Sequence, residues 1–260
     1  MNHVFSGKAG IVTGASSGIG RTIAQTLGAA GMELWLIGRS ATELRATANA
    51  IADSGGPQAH CVALDLSRSG ALAQLVTEVG QQHPYLFCLI NNAGVMYPEP
   101  IIDADPARWH AMFAINLITP MEGCRAAVQQ MRKHRKPAHL VNISSLAGRE
   151  YRYGAYGVAK AALTHMGRTL RNELEKDDIR VATIIPGGFA TNLARGFDAD
   201  SLEKLQIVSG KLNIDMTGPD AAKVIGDPAH IANIIKHLLE LPIDINFEEI
   251  TVRPAIEISL

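Results

Sequence analysis

The sequence predicts a doubly wound α/β domain built on a parallel sheet. Short apolar runs alternate with longer helical stretches through the first two-thirds of the chain. The runs are continuous, as in strands buried on both faces. The first of them breaks into a glycine-rich turn that leads straight into a helix. Strand–helix alternation of this kind makes βαβ units the economical reading.

Residues 9–13 are the first apolar run, and 19–30 read as a helix. A second run, 32–37, precedes an alanine-rich helix over 41–52. Residues 59–64 predict strand three, 71–79 a helix and 86–90 strand four. Asp105 and Pro106 open a long helix, with Asp at the N-cap and Pro in the first turn. It runs to about residue 136 and stops before Pro137. Strand five follows at 140–144, a helix at 155–175 and strand six at 180–185. Between Gly187 and Asp227 the periodicity fades over a segment with six glycines, which reads as a mobile substrate lid at about 188–227. Pro228 starts a last helix to Glu240, and 249–252 make a final strand. With no internal repeat, low-complexity tract or linker, residues 1–260 read as one domain.

Composition narrows the function classes. Hydrophobic residues are 47 % and charged residues 19 % of the chain, which excludes disorder. A net charge of −1 offers no bulk attraction for nucleic acid or an anionic membrane. The cations of 132–136 end the long helix and complement its dipole. Cys61, Cys88 and Cys124 lie far apart and read as buried thiols in a reducing compartment. Residues 1–10 lack a signal-peptide core. The densest apolar stretch, 85–90, falls far short of the about 20 residues of a membrane span. The expectation is a soluble, cytoplasmic protein. Nine histidines without H-E-x-x-H or C-x-x-C spacing predict no metal site.

Strand one ends in Thr13-Gly14-Ala15-Ser16-Ser17-Gly18-Ile19-Gly20. Glycines there permit a tight turn and close approach to a pyrophosphate, and the following helix offers unpaired N–H groups. A Walker A loop is disfavoured, because the spacing is one residue too long and Arg21-Thr22 replaces the lysine pair. Gly14 to Gly18 also fits G-x-S-x-G, the elbow of a serine hydrolase, with Ser16 as nucleophile. That elbow would sit on the first strand, with no earlier strands and no H-G-G-G-like segment for an oxyanion loop.

Tyr156 and Lys160 stand four residues apart on a predicted helix, on one face. A neighbouring ammonium favours a phenolate, whose ordinary pKa near 10 suits it poorly to neutral pH. Together the T-G-x-x-x-G-x-G loop, Asn91-Asn92-Ala93-Gly94, Ser144-Ser145, Y-x-x-x-K and Pro186-Gly187 resemble the short-chain dehydrogenase/reductase family in order and place. The resemblance spans about Ser6 to Pro254. It implies a Rossmann-like fold and an NADP-dependent carbonyl reductase or alcohol dehydrogenase. Tyr156 would be the acid/base. Lys160 would bind the nicotinamide ribose and lower the Tyr156 pKa. Ser145, eleven residues before Tyr156, would hydrogen-bond the substrate oxygen. That separation is a little shorter than is usual in the family. Asn116 would hold a water relaying protons to Lys160.

The cofactor set implied is Gly14, Ser16, Ser17, Gly18, Ile19 and Gly20 in the loop, then Arg39 and Ser40 after strand two. Asp65 and Leu66 would meet the adenine, and Asn91, Asn92, Ala93 and Gly94 would line the pocket. Tyr156, Lys160, Pro186, Gly187 and Thr191 would hold the nicotinamide end. Arg39, with no acid beside it at the strand end, favours a 2′-phosphate and hence NADP. Phe189, Leu193, Arg195 and Phe197, with Met96, Tyr97, Tyr151 and Tyr153, predict a largely apolar substrate pocket. Arg195-Gly196-Phe197 and the tail Glu249 to Pro254 are similar to family members acting on 3-hydroxy acids such as serine, in which Arg195 or Arg149 would clamp a carboxylate. The helices beginning near Asp105 and Ala155 carry apolar faces, and the resemblance implies a homodimer or homotetramer. A cofactor-binding regulatory or scaffold protein without turnover is the alternative of another class. The intact Ser145, Tyr156 and Lys160 speak against it.

Overall fold

The computed structural model describes residues 3–97, 99–151, 153–190, 223 and 225–256. Its strands are β1 (Ala9–Thr13), β2 (Glu33–Gly38), β3 (His60–Ala63), β4 (Leu86–Asn91), β5 (Ala138–Ile143), β6 (Ile179–Pro186) and β7 (Glu249–Val252). They form one seven-stranded sheet in the order β3-β2-β1-β4-β5-β6-β7. Every pairing is parallel, so the expected doubly wound, Rossmann-like sheet is present. β1, β4 and β5 are buried along their whole length, which is why they read as unbroken apolar runs. The edge strand β3 is mostly exposed, and Cys61 on it is exposed with it. That corrects the expectation of three buried thiols. Cys88 and Cys124 are buried, and burial pushes both up to about 12.

Helices cover both faces. α1 (Gly18–Ala29), α2 (Ala41–Asp53) and α7 (Pro228–Glu240) lie on one. There Ile23, Leu27, Leu44, Ile231 and Ile235 pack with Val12, Leu34 and Ile90. On the other face α3 (Ala71–Gln82) and α5 (Thr119–His134) set Leu72, Val76 and Met131 against Ile11, Leu89 and Leu140. Each such side chain, fully buried, contributes about 1.5–3 kcal/mol. Asp105 caps α4 (Pro106–Phe113) by accepting from Ala107 N at 2.9 Å, and Asp227 caps α7 through Ala229 N at 2.8 Å. Both caps follow the Asp-Pro signal.

The long helix expected over 105–136 is three pieces. α4 ends at Phe113, a π turn spans Ala114–Ile118, and α5 follows. A π turn adds a residue to the ladder without changing composition, so apolar periodicity does not announce it. α6 (Gly154–Glu173) carries the Tyr-Lys pair, after a short 3₁₀ turn at Leu146–Arg149. Among the described residues no helix is long and apolar enough to cross a membrane, and no cluster of His, Cys, Asp or Glu is suited to a metal ion. Arg132, in the basic run, pairs with Asp177 through two bonds of 2.8 and 2.9 Å. Most of the expected lid lies outside the described residues, with Thr191, Leu193, Arg195 and Phe197. Its described flanks meet where Phe189 bridges Gly226.

His139 on β5 is buried, with its ring 5.0 Å from that of Phe87. Burial, aided by Lys8 and Arg180, pulls it down to about 4 from an ordinary 6.5. The folded chain therefore keeps it neutral where the unfolded chain protonates it. The associated stability is complete above pH 6.5 and is lost as pH falls toward 4, by about 3 kcal/mol at 1.36 kcal/mol per decade of proton affinity. His139→Asn is expected to flatten the fall of the urea midpoint between those pH values.

Candidate active site

The strand order reverses between β1 and β4, which opens a crevice at their carboxyl ends. A cavity of about 620 Å³ lies there. Its floor at one end is the glycine loop. Gly14 and Gly18 have φ of 68° and 52°, in the left-handed region that favours glycine. Ser17 caps α1 in extended conformation without a side-chain bond, and no acidic residue stands in the first turn. The leading N–H groups of α1 therefore have no competing side-chain acceptor, the condition for holding an anion. Gly14, Ser16, Ser17, Gly18 and Ile19 line the cavity, but Gly20 does not. A Cβ on Gly20 would come within 2.3 Å of Gly14 O and Asn92 Nδ2, so this glycine serves close packing.

The loop is fastened to β4. Thr13 Oγ1 donates to Ile90 O at 3.2 Å and accepts from the N–H groups of Asn92 and Ala93 at 2.9 and 3.0 Å. Asn92 Nδ2 donates back to Thr13 O at 2.9 Å. Thr13 lies outside the expected set, and its place at the strand end is the signal that points to it. Asn92, Ala93 and Gly94 line the cavity. Asn91 does not, which corrects the expectation. As the last residue of β4 it turns into the sheet and donates to Asn142 Oδ1 at 2.9 Å.

Arg39 follows β2 on the cavity wall, exposed. Glu43 is paired with Arg21 and does not line the cavity. Ser40 is a cap: its Oγ accepts from Glu43 N at 3.3 Å, the S-x-x-E pattern of a helix start. It does not line the cavity either. Asp65 and Leu66 do. Hydrogen bonds from Ser67 N and Oγ, at 3.0 and 2.8 Å, hold the Asp65 carboxyl below its usual range, with smaller help from Arg39.

At the other end β5 delivers two serines with different fates. Ser144 is buried, its Oγ bonded to Lys160 O at 2.9 Å and Thr164 Oγ1 at 2.7 Å. Ser145 accepts from Ala147 N at 3.1 Å and hydrogen-bonds Tyr156. Tyr156 and Lys160 sit one turn apart on α6, both buried and both on the cavity wall. Lys160 Nζ donates to Ile143 O at 2.8 Å and lies 5.9 Å from the Tyr156 ring centre. Burial pushes Tyr156 up to about 12; the Ser145 bond opposes this and Tyr153 adds to it. Burial pulls Lys160 down to about 8. In the chain alone desolvation thus outweighs any lowering of Tyr156 by Lys160. Pro186 and Gly187 close the wall at the end of β6.

Asn116 is fully buried in the π turn and does not line the cavity. Its Oδ1 accepts from Val95 N at 3.1 Å and its Nδ2 donates to Val95 O at 2.8 Å. Its side chain therefore clamps the loop after β4. Met96, Tyr97 and Phe189 line the cavity as expected, joined by Ala111 and Ile115, which sequence reasoning missed. Their i, i+4 spacing was the available signal. Tyr151 is fully exposed, and Tyr153 packs beside Tyr156 without reaching the cavity. Arg149 pairs with Glu249 at 3.6 Å, outside the cavity. These three correct the expected pocket.

The chain is 30 % identical over 249 residues to an uncharacterized oxidoreductase of Staphylococcus saprophyticus, covering 95 % of this chain and 97 % of that one. It is 36 % identical over 192 residues to dehydrogenase/reductase SDR family member 7B of Bos taurus, covering 71 % and 58 %. Among solved structures it is similar to a metagenomic short-chain oxidoreductase in complex with NADP, at 30 % identity and a TM-score of 0.78 over 97 % of this chain and 99 % of that one. A short-chain dehydrogenase/reductase from Caenorhabditis elegans with cofactor matches at 27 % identity and a TM-score of 0.82, over 96 % and 95 %. The family model for short chain dehydrogenase matches residues 8–201. By that match, and with the Tyr-Lys pair and glycine loop on one cavity, the chain belongs to the short-chain dehydrogenase family.

Proposed function

We propose that the protein is an NADP-dependent oxidoreductase of a small carbonyl or alcohol substrate, working chiefly as a carbonyl reductase. One observation carries this reading: a single cavity joins an acid-free helix start and Arg39 to the Ser145–Tyr156 pair and Lys160. Those residues fit a dinucleotide with a 2′-phosphate. Gly14, Ser16, Ser17 and Gly18 would cradle the pyrophosphate, and Arg39 the ribose phosphate. When bound, NADP(H) supplies or accepts the hydride. Ser145 hydrogen-bonds the substrate oxygen, and Tyr156 exchanges a proton with it at Oη. The buried phenol is protonated at neutral pH and can give that proton to a carbonyl oxygen, and the use of NADPH makes reduction the expected direction. Lys160 binds the nicotinamide ribose and, while charged, eases loss of the Tyr156 proton. The Asn116 side chain is committed to Val95, so its contribution to a proton-relay water would be positional.

The same reading makes residues 1–260 one catalytic domain that works in the cytoplasm. It also pairs subunits through α5 and α6, where Ile118, just before α5, and Met121 and Val158 are exposed apolar side chains. The test is NADPH consumption with 3-oxo acids, semialdehydes, cyclic ketones and quinones. The expected result is turnover of at least one class, with NADPH preferred to NADH. Cofactor binding with no turnover across the panel would instead support a regulatory role. Ester cleavage without NADPH, lost on changing Ser16, would support a hydrolase.

A further inference from the structure

The substrate end of the cavity has a preformed aromatic wall. Tyr97 stands in the loop after β4, and that loop is tied down on both sides of it. On one side the Asn116 amide holds both backbone groups of Val95. On the other, the Glu99 backbone docks on Gly154 at the start of α6, with φ of 49°. A Cβ at Gly154 would reach within 2.0 Å of Glu99 O, so only glycine admits this contact. The side chain of Tyr97 is braced as well. The Arg108 guanidinium lies 5.2 Å from its ring centre and is ion-paired with Glu99. Tyr97 lines the cavity and Arg108 does not. Tyr97 therefore presents an apolar surface toward the Tyr156 end without needing to reorganise.

The rest of this end matches it. Met96, Ala111, Ile115 and Phe189 share the wall with Tyr97. The charged side chains among the described lining residues are Arg39, Asp65 and Lys160. Arg39 and Asp65 stand at the dinucleotide end, and Lys160 is bonded to Ile143 O. Arg149, the described cation nearest in sequence to Ser145, is paired with Glu249 outside the cavity. Among the described residues Lys160 is the one cation at this end, and it is buried and already donates to Ile143 O, so a carboxylate here would give up its water for little in return. A flat apolar group would gain ring contact instead.

We infer that the preferred substrate is an uncharged ketone or aldehyde whose apolar, preferably planar, part packs on Tyr97, and that Tyr97 is a specificity-determining residue braced by Arg108 and Glu99. This rests on the carbonyl chemistry proposed above. The probes are acetophenone and 4-acetylbenzoate, which differ by one carboxylate. With NADPH, kcat/KM for acetophenone is expected to exceed that for 4-acetylbenzoate by about tenfold or more. Tyr97→Ala is expected to lower kcat/KM for acetophenone about tenfold, mainly through KM, with the NADPH Kd unchanged and Tyr97→Phe close to the parent. Equal or better use of 4-acetylbenzoate, or an unchanged Tyr97→Ala variant, would overturn the inference. A second readout is calorimetric binding of both probes to the NADP-loaded protein. If no probe consumes NADPH yet acetophenone binds better and Tyr97→Ala weakens it, the redox reading fails and the pocket assignment stands. If neither probe binds, the pocket assignment fails.

Discussion

Tyr156→Phe is expected to lower kcat for carbonyl reduction by about 10²–10⁴-fold, the range for removing a positioned general acid. The substitution deletes one oxygen and keeps the ring. That ring is buried among Met96, Met112, Ala147 and Ala155, so the packing survives. Ser145 keeps its bond from Ala147 N, and Lys160 keeps its bond to Ile143 O. The glycine loop is untouched. NADPH affinity, read by fluorescence titration, is therefore expected to stay within about twofold while turnover collapses. A variant that kept kcat within a factor of a few would remove Tyr156 from the chemistry. The contrast between the two measurements separates a lost proton donor from a damaged fold.

Arg39→Asp is expected to reverse the cofactor preference. Hydrogen bonds to a charged group are worth about 1.5–3 kcal/mol, so losing the Arg39 contact to a 2′-phosphate lowers kcat/KM for NADPH by about 10–100-fold. The new carboxylate adds repulsion toward that phosphate and accepts from a ribose hydroxyl, which raises kcat/KM for NADH. The site can receive the change because Glu43, the acid nearest in sequence, is held by Arg21. Arg39 is exposed, so the fold is not at stake and the melting temperature is expected to hold. An unchanged ratio of NADPH to NADH use would show that Arg39 does not read the phosphate.

How much of this was legible in the sequence depends on which contacts decide each feature. Strand burial on both faces leaves continuous apolar runs, so the parallel sheet could be read directly. β7 and α7 begin and end at the predicted residues, α7 because Asp227-Pro228 sets its start. The Tyr156–Lys160 pair was legible because four residues are one helical turn. Less legible was anything decided by contacts between distant segments. Asn91 and Asn92 are adjacent and chemically identical, yet one enters the sheet and the other fastens Thr13. Ser40 stands beside Arg39 in the expected cofactor set, but Ser40-x-x-Glu43 is the pattern of a helix cap. Asn116 carries an expected role only through the resemblance, as the holder of a relay water. Its environment, a π turn facing the Val95 backbone, has no signature in composition.

The π turn has a consequence for the whole helical arm. One inserted residue rotates everything downstream by about 100°, given 3.6 residues per turn. The arm therefore has two phases. Before the turn, Ala111 is aimed at the cleft; after it, Cys124 and Met131 are aimed at the underside of the sheet. The extra residue decouples the demands of the pocket from those of the core. Excising one residue from Ala114–Ile118 is expected to restore a regular ladder and swing the anchoring stripe of α5 away from β4 and β5, so this irregularity gears the pocket surface to the core surface.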